Sequence, residues 1–397
     1  MDPNLIIFGI PTLILVFLIA YQLLLCVMAT GNRAIMDLHP PSSHFVVVVP
    51  AHNEEKVIAR TLYSIFGLVY PRHLFELLVV ADNCTDATAE IARELGAEVL
   101  TRESDSCRGK GYALRLAFDH ILQNKKHCHA VIVIDADSLV SGNYLQVMNH
   151  YLREGSLVVQ SSDLVLPQPG AWSSEMTRIG FLLFNYIRPL GRKKLGLDVG
   201  LRGNGMCFSV DVLKQCPWQA WSLTEDLEYG LELQLRGFRI DFAAGAVVWA
   251  RMPAQASHAE SQRARWEMGR LPLIKKYSGL LLRKFVRNRS FRYADSMISL
   301  IMPPLVNVQL LILVLFALAG IGWVAGLTPA IYGIIFFSLF VAGILDLLAG
   351  LYIAGADRHL YKTLCYIPVY ALWKMKVYVK AFMGSDRHRW IRTSRES

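Results

Sequence analysis

The sequence has few cysteines, and their arrangement excludes two kinds of site. Its seven cysteines include no C-x-x-C pair and no cysteine–histidine pairing at the spacing of a zinc centre. Their odd number and scattered positions are typical of reduced thiols in a cytoplasmic domain. We therefore expect neither a structural zinc site nor a disulfide framework.

The first apolar run lacks the basic residues with which a secretory signal peptide begins. It extends from Leu5 to Thr30, and the only charged side chain before it is that of Asp2. The run is also longer than the apolar core of such a peptide. At ~1.5 Å per residue, a helix of this length crosses the ~30 Å hydrocarbon layer of a bilayer. A transmembrane helix is predicted over residues 5–30, with a cleaved signal peptide as the alternative.

Charged residues are scarce, at 18% of the chain against 53% for hydrophobic residues. A mean hydropathy of +0.34 is too high for an ordinary soluble enzyme. The net charge of +9 comes largely from clusters beside the apolar runs, such as residues 283–292. Basic residues in such places set membrane topology and contact anionic lipids. The composition therefore predicts contact with membrane lipids and no nucleic-acid partner.

Two further apolar runs, residues 305–327 and 331–354, are joined by a short turn at Thr328-Pro329. Arg33 follows the first span, and Arg358 and Lys362 follow the last. The positive-inside bias therefore places the region between the first and second spans in the cytoplasm. We predict a multi-pass protein of the inner (cytoplasmic) membrane. Asp346, inside the last span, is expected to pair with another helix, to line a cavity or to lie near the interface.

Three other segments combine aromatic with basic residues: 172–195, 271–300 and 360–397. Amphipathic helices that lie in the headgroup region of a membrane have this composition. We predict that these segments are interfacial. Packing of the same helices on the protein core is the alternative.

The region from 45 to 270 alternates between strand-like and helix-like patterns. Short runs rich in β-branched residues and leucine, typical of buried strands, occur at Phe45–Val49, Leu77–Val80, Glu98–Thr101 and Ala130–Ile134. Helical spacing separates them and predicts helices that include Glu54–Phe66 and Tyr112–Ile121. Such alternation predicts an α/β domain with a mostly parallel sheet and helices on both faces. Ligands of such sheets bind beyond the carboxyl ends of the strands.

Polar clusters occur at those strand ends and in two later helical segments. Asp82 ends the second strand, and Asp135-Ala-Asp137 ends the fourth. Carboxylates in this position suit Mg²⁺ or Mn²⁺, although acidic residues also end strands in ordinary turns. Thr224-Glu-Asp226 and Gln262-x-x-Arg265-Trp266 follow later. Taken singly, these two are also consistent with a helix cap and with a basic helix on a membrane surface.

Together the clusters have a recognisable order and spacing. They include Pro50-Ala-His-Asn-Glu54 after the first strand and Arg108-Gly-Lys-Gly111 before a helix. The chain resembles the membrane-embedded inverting glycosyltransferases of family 2, which have the GT-A fold with a Rossmann-like mixed sheet. Cellulose, hyaluronan and poly-N-acetylglucosamine synthases belong to this group, and ceramide glucosyltransferases are similar. The resemblance covers about residues 45–270 and the flanking membrane segments.

The resemblance implies a role for each cluster. Asp226 is the position of the general base, and Glu225 orients the site. Asp137 and Asp135 bind a divalent cation, Mg²⁺ or Mn²⁺. The residues implied in binding the nucleotide-sugar donor are Pro50, Ala51, Asn53, Glu54, Asp82, Lys110, Asp135, Asp137 and Arg265. Those implied in binding the acceptor are Gly203, Asn204, Gln262 and Trp266.

His258 is a weaker candidate. Relatives of this fold sometimes have a histidine metal ligand shortly before the Gln262 motif, but a lone histidine is also an ordinary loop residue. The alternatives for Gly203-Asn-Gly205 are a close approach of backbone to the acceptor and a plain turn.

The predicted reaction is transfer of a sugar, with inversion, from UDP-glucose or UDP-N-acetylglucosamine to a growing polysaccharide. Transfer of one sugar to a membrane lipid is the alternative, because the same motifs occur in both groups. A catalytically inactive nucleotide-binding scaffold is a more distant one. Three spans make a thin channel, so polymer export could require the interfacial helices, a second copy of the chain or a secretion partner.

Overall fold

The fold is described by a computed structural model, which covers residues 4–31, 37–252 and 256–383. Within the last range, side chains are described except at 256–261, 264, 267 and 377–383.

One eight-stranded mixed sheet forms the centre of the molecule, in the order β3-β2-β1-β4-β7-β6-β8-β5. Strands β1 to β4 are parallel to one another, β7 is antiparallel to both of its neighbours, and β6 is parallel to β8. The strands are β1 (Phe45–Ala51), β2 (Phe75–Asp82), β3 (Glu98–Arg102), β4 (Ala130–Val133), β5 (Ser138–Val140), β6 (Val158–Val165), β7 (Met206–Ser209) and β8 (Ile240–Ala250).

The central strands are buried on both faces, as their continuous β-branched runs predict. In β1, Val46 and Val48 pack into one hydrophobic cluster, whereas Phe45, Val47 and Val49 pack into a second cluster on the opposite face. Successive side chains of a strand point to opposite faces, so a run of apolar residues supplies both clusters.

Helices cover the sheet and extend beyond it. Around the sheet lie α2 (Ile58–Phe66), α3 (Thr88–Glu94), α4 (Lys110–Asn124), α5 (Tyr144–Arg153), α6 (Trp172–Phe181), α7 (Arg188–Lys194), α8 (Val210–Gln215) and α9 (Glu225–Leu235). A π-helical turn over Leu182–Ile187 joins α6 to α7. The other helices are α1 (Ile10–Met28), α10 (Ala256–Asn288), α11 (Phe291–Ile301), α12 (Leu305–Val324), α13 (Ala330–Ile353), α14 (Arg358–Thr363) and α15 (Ile367–Met383). The predicted boundary at residue 270 lies inside α10.

Three helical segments are long and apolar enough to cross a membrane: Leu5–Met28, Leu305–Val324 and Ala330–Ile353. They pack together through a cluster that includes Leu15 and Ile312. Two glycines allow close contact between these helices and the sheet domain. A Cβ on Gly191 of α7 would lie 2.2 Å from the carbonyl oxygen of Leu25, and one on Gly350 of α13 would lie 2.4 Å from Leu183.

The segment 172–195, predicted to be interfacial, contributes much of its surface to the protein interior. Its helix α6 buries Met176 and Ile179 against α13, α14 and α15. In α7, Arg188 and Arg192 are also buried, at 7% and 3% exposure. Contact of this segment with lipid therefore stays a prediction that concerns only its exposed residues.

Candidate active site

Strand β4 ends beside the first residue of α4. The ammonium Nζ of Lys110 donates hydrogen bonds to Oδ1 of Asp135 and to the carbonyl oxygen of Gly203, both at 2.5 Å. Burial would lower the pKa of Lys110, but Asp135 and Glu225 outweigh it, and the net pKa is raised. Lys110 is therefore a fixed cation at the carboxyl edge of the sheet.

The loop Gly203-Asn-Gly205 brings backbone next to this edge, and its glycines are required by conformation. Their φ angles are +83° and +70°, values that L-residues with a Cβ adopt only with strain. A Cβ on Gly205 would lie 1.9 Å from Oγ of Ser161, and one on Gly203 would lie 3.2 Å from Oδ2 of Asp226. The loop therefore joins Lys110 to the acidic start of α9.

Asn204 is buried inside the same loop. Its side-chain oxygen accepts from the backbone N–H of Asp135 at 3.1 Å. Its amide nitrogen donates to Oγ of Ser138 at 3.0 Å and to Oδ1 of Asp163 at 3.4 Å. Asn204 therefore positions the backbone of Asp135 at the strand end, and contact of the loop with an acceptor stays a prediction.

Asp163 is a site residue that the sequence analysis missed. It is 5% exposed, and burial together with the nearby charge of Asp135 raises its pKa well above the ordinary value. Asp163 accepts hydrogen bonds from the side-chain amides of Asn185 and Asn204, so it lies behind Asp135 and holds Asn204 in place. The run of polar residues 160–163 in an otherwise apolar strand was the signal for it.

Glu225 and Asp226 occupy the first turn of α9, where the helix dipole favours negative charge. Burial raises the pKa of both carboxyl groups, that of Glu225 to about 7. The charge of Asp226 raises the pKa of Glu225 further, whereas Lys110 lowers both. Arg202 also lowers the pKa of Asp226. A raised pKa makes a carboxylate a more effective base near neutral pH.

Helix α10 supplies the arginine and tryptophan of the later motif. Nε of Arg265 is buried without a hydrogen-bond partner among the described residues, and its charge lowers the pKa of Glu225. The ring of Trp266 lies 5.9 Å from that of Phe181. Gln262 is half-buried on the same helix. The side chain of His258 is outside the described part of the structure.

The intervening Arg263 fastens α10 to its neighbours. It donates to the hydroxyl of Tyr370 at 2.5 Å and also to Thr177. Its guanidinium stacks over Trp373, 5.2 Å from the ring centroid. Since Arg263 anchors α10, it positions Arg265 and Trp266.

A separate group of polar residues lies beyond the ends of β1 and β2. Asn53 adopts a φ of +56°, and its side chain exchanges hydrogen bonds with Thr85. The N–H of Glu54 donates to Oγ1 of Thr88 at 2.8 Å. Pro50 and Ala51 pair with β2 in the preceding strand. These contacts hold the residues of the first motif together at the carboxyl ends of β1 and β2.

Asp82, implied in binding the nucleobase, already has a cationic partner. Nη1 of Arg102 donates to Oδ1 of Asp82 at 2.6 Å. Arg102 also lies over the ring of Tyr112, 5.4 Å from its centroid, and Tyr112 stacks on Trp221 at 4.5 Å. The sequence analysis missed Arg102, Tyr112 and Trp221, since their contacts form only in the folded chain.

Asp135 and Asp137 fit a divalent cation in their chemistry. Both are half-buried at the strand end, and carboxylate oxygens are the ligands that Mg²⁺ and Mn²⁺ prefer. Two protein ligands leave coordination positions for diphosphate oxygens. The pairing of Asp135 with Lys110 shows that this edge already binds positive charge.

The comparisons with known proteins agree with this arrangement. A family model described as "Glycosyltransferase like family 2" matches residues 40–269, more than half of the chain. The chain belongs to glycosyltransferase family 2. The match extends from the segment before β1 into α10 and so includes every site residue named above.

Two curated relatives illustrate the range of this family. A β-monoglucosyldiacylglycerol synthase of Nostoc sp. is 28% identical over 61% of this chain and 52% of its own length. A poly-β-1,6-N-acetyl-D-glucosamine synthase of Staphylococcus aureus is 22% identical over 56% of this chain and 53% of its own length. The chain spans about half the length of the curated relatives it matches.

A solved structure shows the same fold. The mannosyltransferase PcManGT of Pyrobaculum calidifontis, in complex with GDP-mannose and Mn²⁺, aligns with a TM-score of 0.56 at 15% identity. The alignment covers 95% of this chain and 100% of that chain. The predicted fold class, a GT-A domain with about three membrane helices, is confirmed.

Proposed function

We propose that this family 2 glycosyltransferase moves a hexose, with inversion, from a nucleoside diphosphate sugar to a hydroxyl group of a membrane lipid. One observation carries the proposal: a carboxylate with a raised pKa, Asp226, faces the strand-end cluster of Lys110 and Asp135 across Gly203. A base and a cationic leaving-group site therefore lie on two sides of one small space.

The reaction forms one bond and breaks another. The acceptor oxygen attacks the anomeric carbon from the face opposite the nucleoside diphosphate, and its proton passes to the carboxylate of Asp226. The bond from the anomeric carbon to the phosphate oxygen breaks, and its electron pair leaves with the diphosphate. Lys110 and Arg265 stabilise the charge that develops there. Attack from the opposite face converts an α-linked donor into a β-linked product.

In this proposal Asp135 and Asp137 hold a divalent cation, which neutralises charge on the diphosphate when bound. The donor set supports this role, and the solved relative was obtained with Mn²⁺. The donor is UDP-glucose or UDP-N-acetylglucosamine by resemblance. Its nucleoside is contacted by Asp82, Asn53 and Glu54, with Pro50 and Ala51 beside them at the end of β1.

Contacts between the site and the membrane helices favour a lipid as acceptor. Helix α7, which adjoins the site loop, touches the backbone of α1 at Gly191, and α13 touches the turn before α7 at Gly350. A lipid headgroup at the ends of these helices would reach the site without a channel. The similarity to a glycolipid synthase agrees with this choice.

A growing polysaccharide is the second candidate acceptor. Trp266 supports it, because an indole that is half-buried beside Phe181 presents a face on which a terminal sugar can stack. Gln262, Gly203 and Asn204 would contact the same acceptor. In that case a second copy of the chain or a secretion partner would complete the channel.

We further propose that the catalytic domain lies in the cytoplasm and that the turn between α12 and α13 lies on the other side of the membrane. Leu327, 74% exposed in that turn, suits a test. A Leu327→Cys variant in intact cells should react with an impermeant thiol reagent. If labelling requires permeabilised cells, the turn lies in the cytoplasm and the proposed topology is wrong.

Product analysis tests the reaction itself. Purified protein in lipid nanodiscs would be supplied with radiolabelled UDP-glucose, UDP-N-acetylglucosamine and GDP-mannose in turn, with Mg²⁺ or Mn²⁺. One discrete product extractable in organic solvent is expected. Long water-soluble chains would favour the polysaccharide instead, and no transfer from any donor would reject the enzymatic role.

A further inference from the structure

The catalytic roles above do not use Arg188, a buried cation of α7. Arg188 is 7% exposed, and its Nε has no hydrogen-bond partner among the described residues. No hydrogen bond or ion pair joins this guanidinium to any residue in the described part of the chain. Burial lowers the pKa of Arg188 to about 9, and the charges of Arg192 and Arg202 lower it as well. A guanidinium desolvated in this way requires an anion to be stable.

Arg202 forms the other half of this group. Its guanidinium lies 4.4 Å from the ring centroid of Phe184, and that of Arg188 lies 5.0 Å from the same centroid. Nε of Arg202 is also buried without a hydrogen-bond partner in the described structure. Its Nη2 donates a hydrogen bond to the carbonyl oxygen of Val199, at 3.1 Å. The ring of Phe184 therefore contacts two guanidinium groups. In each of them Nε donates no hydrogen bond within the described structure.

The acidic groups nearby do not pair with these two arginines at contact distance. Arg192 is paired with the carboxylate of Asp295 and the hydroxyl of Tyr21. Asp346 of α13 attracts Arg188 electrostatically but forms no ion pair with it. Asp226 and Asp163 attract Arg202 in the same way. Among the described residues, Arg188 and Arg202 therefore keep donors that no carboxylate accepts.

The group also lies on the route from the membrane helices to the base. Arg202 precedes Gly203, the residue in contact with Asp226. On the other side, Leu183 next to Phe184 contacts Gly350 of α13. Further buried oxygens without partners occur in the helix bundle below, on Gln22, Gln309 and Asp346. Polar groups thus continue from the cytoplasmic third of the bundle to Asp226.

We propose that Arg188 and Arg202 bind a phosphate in the headgroup of the acceptor, so that the acceptor is an anionic lipid whose hydroxyl lies a few bonds from its phosphodiester. This inference rests on the proposed function, since it names the acceptor of that site. Arginine suits this task because its planar donors match phosphate oxygens two at a time. The hydroxyl of the same headgroup then lies within reach of Asp226.

The test compares three acceptors with the same purified protein in neutral nanodiscs. Phosphatidylglycerol has both phosphate and hydroxyl, diacylglycerol has only the hydroxyl, and glycerophosphoglycerol is the headgroup without acyl chains. We expect kcat/KM for phosphatidylglycerol to exceed that for diacylglycerol by about 10- to 100-fold, the range for hydrogen bonds to a charged group. Arg188→Gln should raise KM for phosphatidylglycerol by a similar factor. Lys194→Gln, an exposed change on the same helix, should leave that KM unchanged.

Equal use of diacylglycerol and phosphatidylglycerol would overturn the proposal, as would an effect of Arg188→Gln on the KM of the donor alone. If kcat/KM for glycerophosphoglycerol equals that for phosphatidylglycerol, the phosphate site does not select a lipid, and the lipid acceptor is wrong. Binding of dioctanoyl-phosphatidylglycerol, measured by calorimetry without donor, separates this inference from the proposed function. Binding that depends on Arg188, with no transfer from any donor, would retain the phosphate site and reject the enzymatic role. Binding that ignores Arg188 would reject the phosphate site.

Discussion

The two sides of the active site differ in how their charges are matched. On the proposed donor side, Lys110 pairs with Asp135 and Arg102 pairs with Asp82, at 2.5 and 2.6 Å. On the proposed acceptor side, Arg188 and Arg202 each have a buried Nε without a hydrogen-bond partner among the described residues. The donor side is therefore preorganised by pairs within the chain. The acceptor side contains cations whose partners a substrate would supply.

This difference has an energetic consequence. A charge that is taken out of water and left unpaired costs several kcal/mol, whereas paired charges recover much of that cost from each other. The acceptor side is therefore the less stable half, and a bound anion should stabilise it. A change on the donor side should instead break an existing pair and weaken donor binding.

The largest expected effect comes from the residue between the two sides. Asp226→Asn keeps the shape of the side chain but cannot accept the acceptor proton, so kcat should fall by roughly 10²–10⁴-fold. Donor affinity, measured by calorimetry, should stay within a few fold. If the Asp226→Asn variant retains more than about a tenth of the wild-type rate, Asp226 is not the general base.

A substitution at Asp137 tests the proposed donor side separately from the acceptor side. Asp137→Ala removes one of the two carboxylates proposed for the cation, so donor affinity should fall by about 10- to 100-fold. Affinity for the acceptor lipid should not change. Donor titrations with Mg²⁺, with Mn²⁺ and with excess chelator check this, and full turnover in chelator would contradict the metal assignment.

Gly205, in the loop between the two sides, has a matched control in Gly196, which follows α7. Gly205 and Gly196 have φ angles of +70° and +71°, but only Gly205 would place a Cβ against another atom, Oγ of Ser161. Both alanine variants carry the backbone strain, and Gly205→Ala should cost ~1–3 kcal/mol more by overpacking. Thermal unfolding of both variants measures the difference. Equal Tm values would show that the loop is not tightly packed.

The smallest expected effect is a shift in pH dependence. Transfer requires ionised Asp226, so the rate should fall as the pH drops through the raised pKa values of the carboxyl pair. The pKa of Glu225 is about 7. Glu225→Gln removes a like charge, which should lower the pKa of the remaining carboxyl and move the acid limb of kcat/KM down by about one pH unit. An unmoved acid limb would mean that another group controls it.

Elements with local signals could be predicted from the sequence. The predicted strand at Phe45–Val49 continues to Ala51, and the helix predicted over Tyr112–Ile121 extends over Lys110–Asn124. Helix α2 begins at Ile58 and not at Glu54, because Asn53 adopts a positive φ and the chain turns before the helix starts.

The positions of the proposed donor motifs were predictable because they follow strands, whereas the burial of the α7 arginines was not. In the sequence, Arg188 and Arg192 resemble the cationic face of a helix on a membrane surface. In the fold they are buried, because Gly191 lets α7 approach the backbone of α1 closely. That contact joins residues more than 150 positions apart, and no local pattern encodes it. Arg102 was missed for the same reason, whereas the polar run 160–163 was a local signal for Asp163.

The stereochemistry of the product tests the central claim most directly. In the proposed arrangement the base, Asp226, and the leaving-group site, Lys110 with Asp135, lie on opposite sides of the anomeric carbon. With an α-linked nucleotide sugar as donor, proton NMR of the isolated product should show the large anomeric coupling of a β-linked sugar. A product with the small coupling of an α-linked sugar would mean retention of configuration, and the proposed arrangement would be wrong.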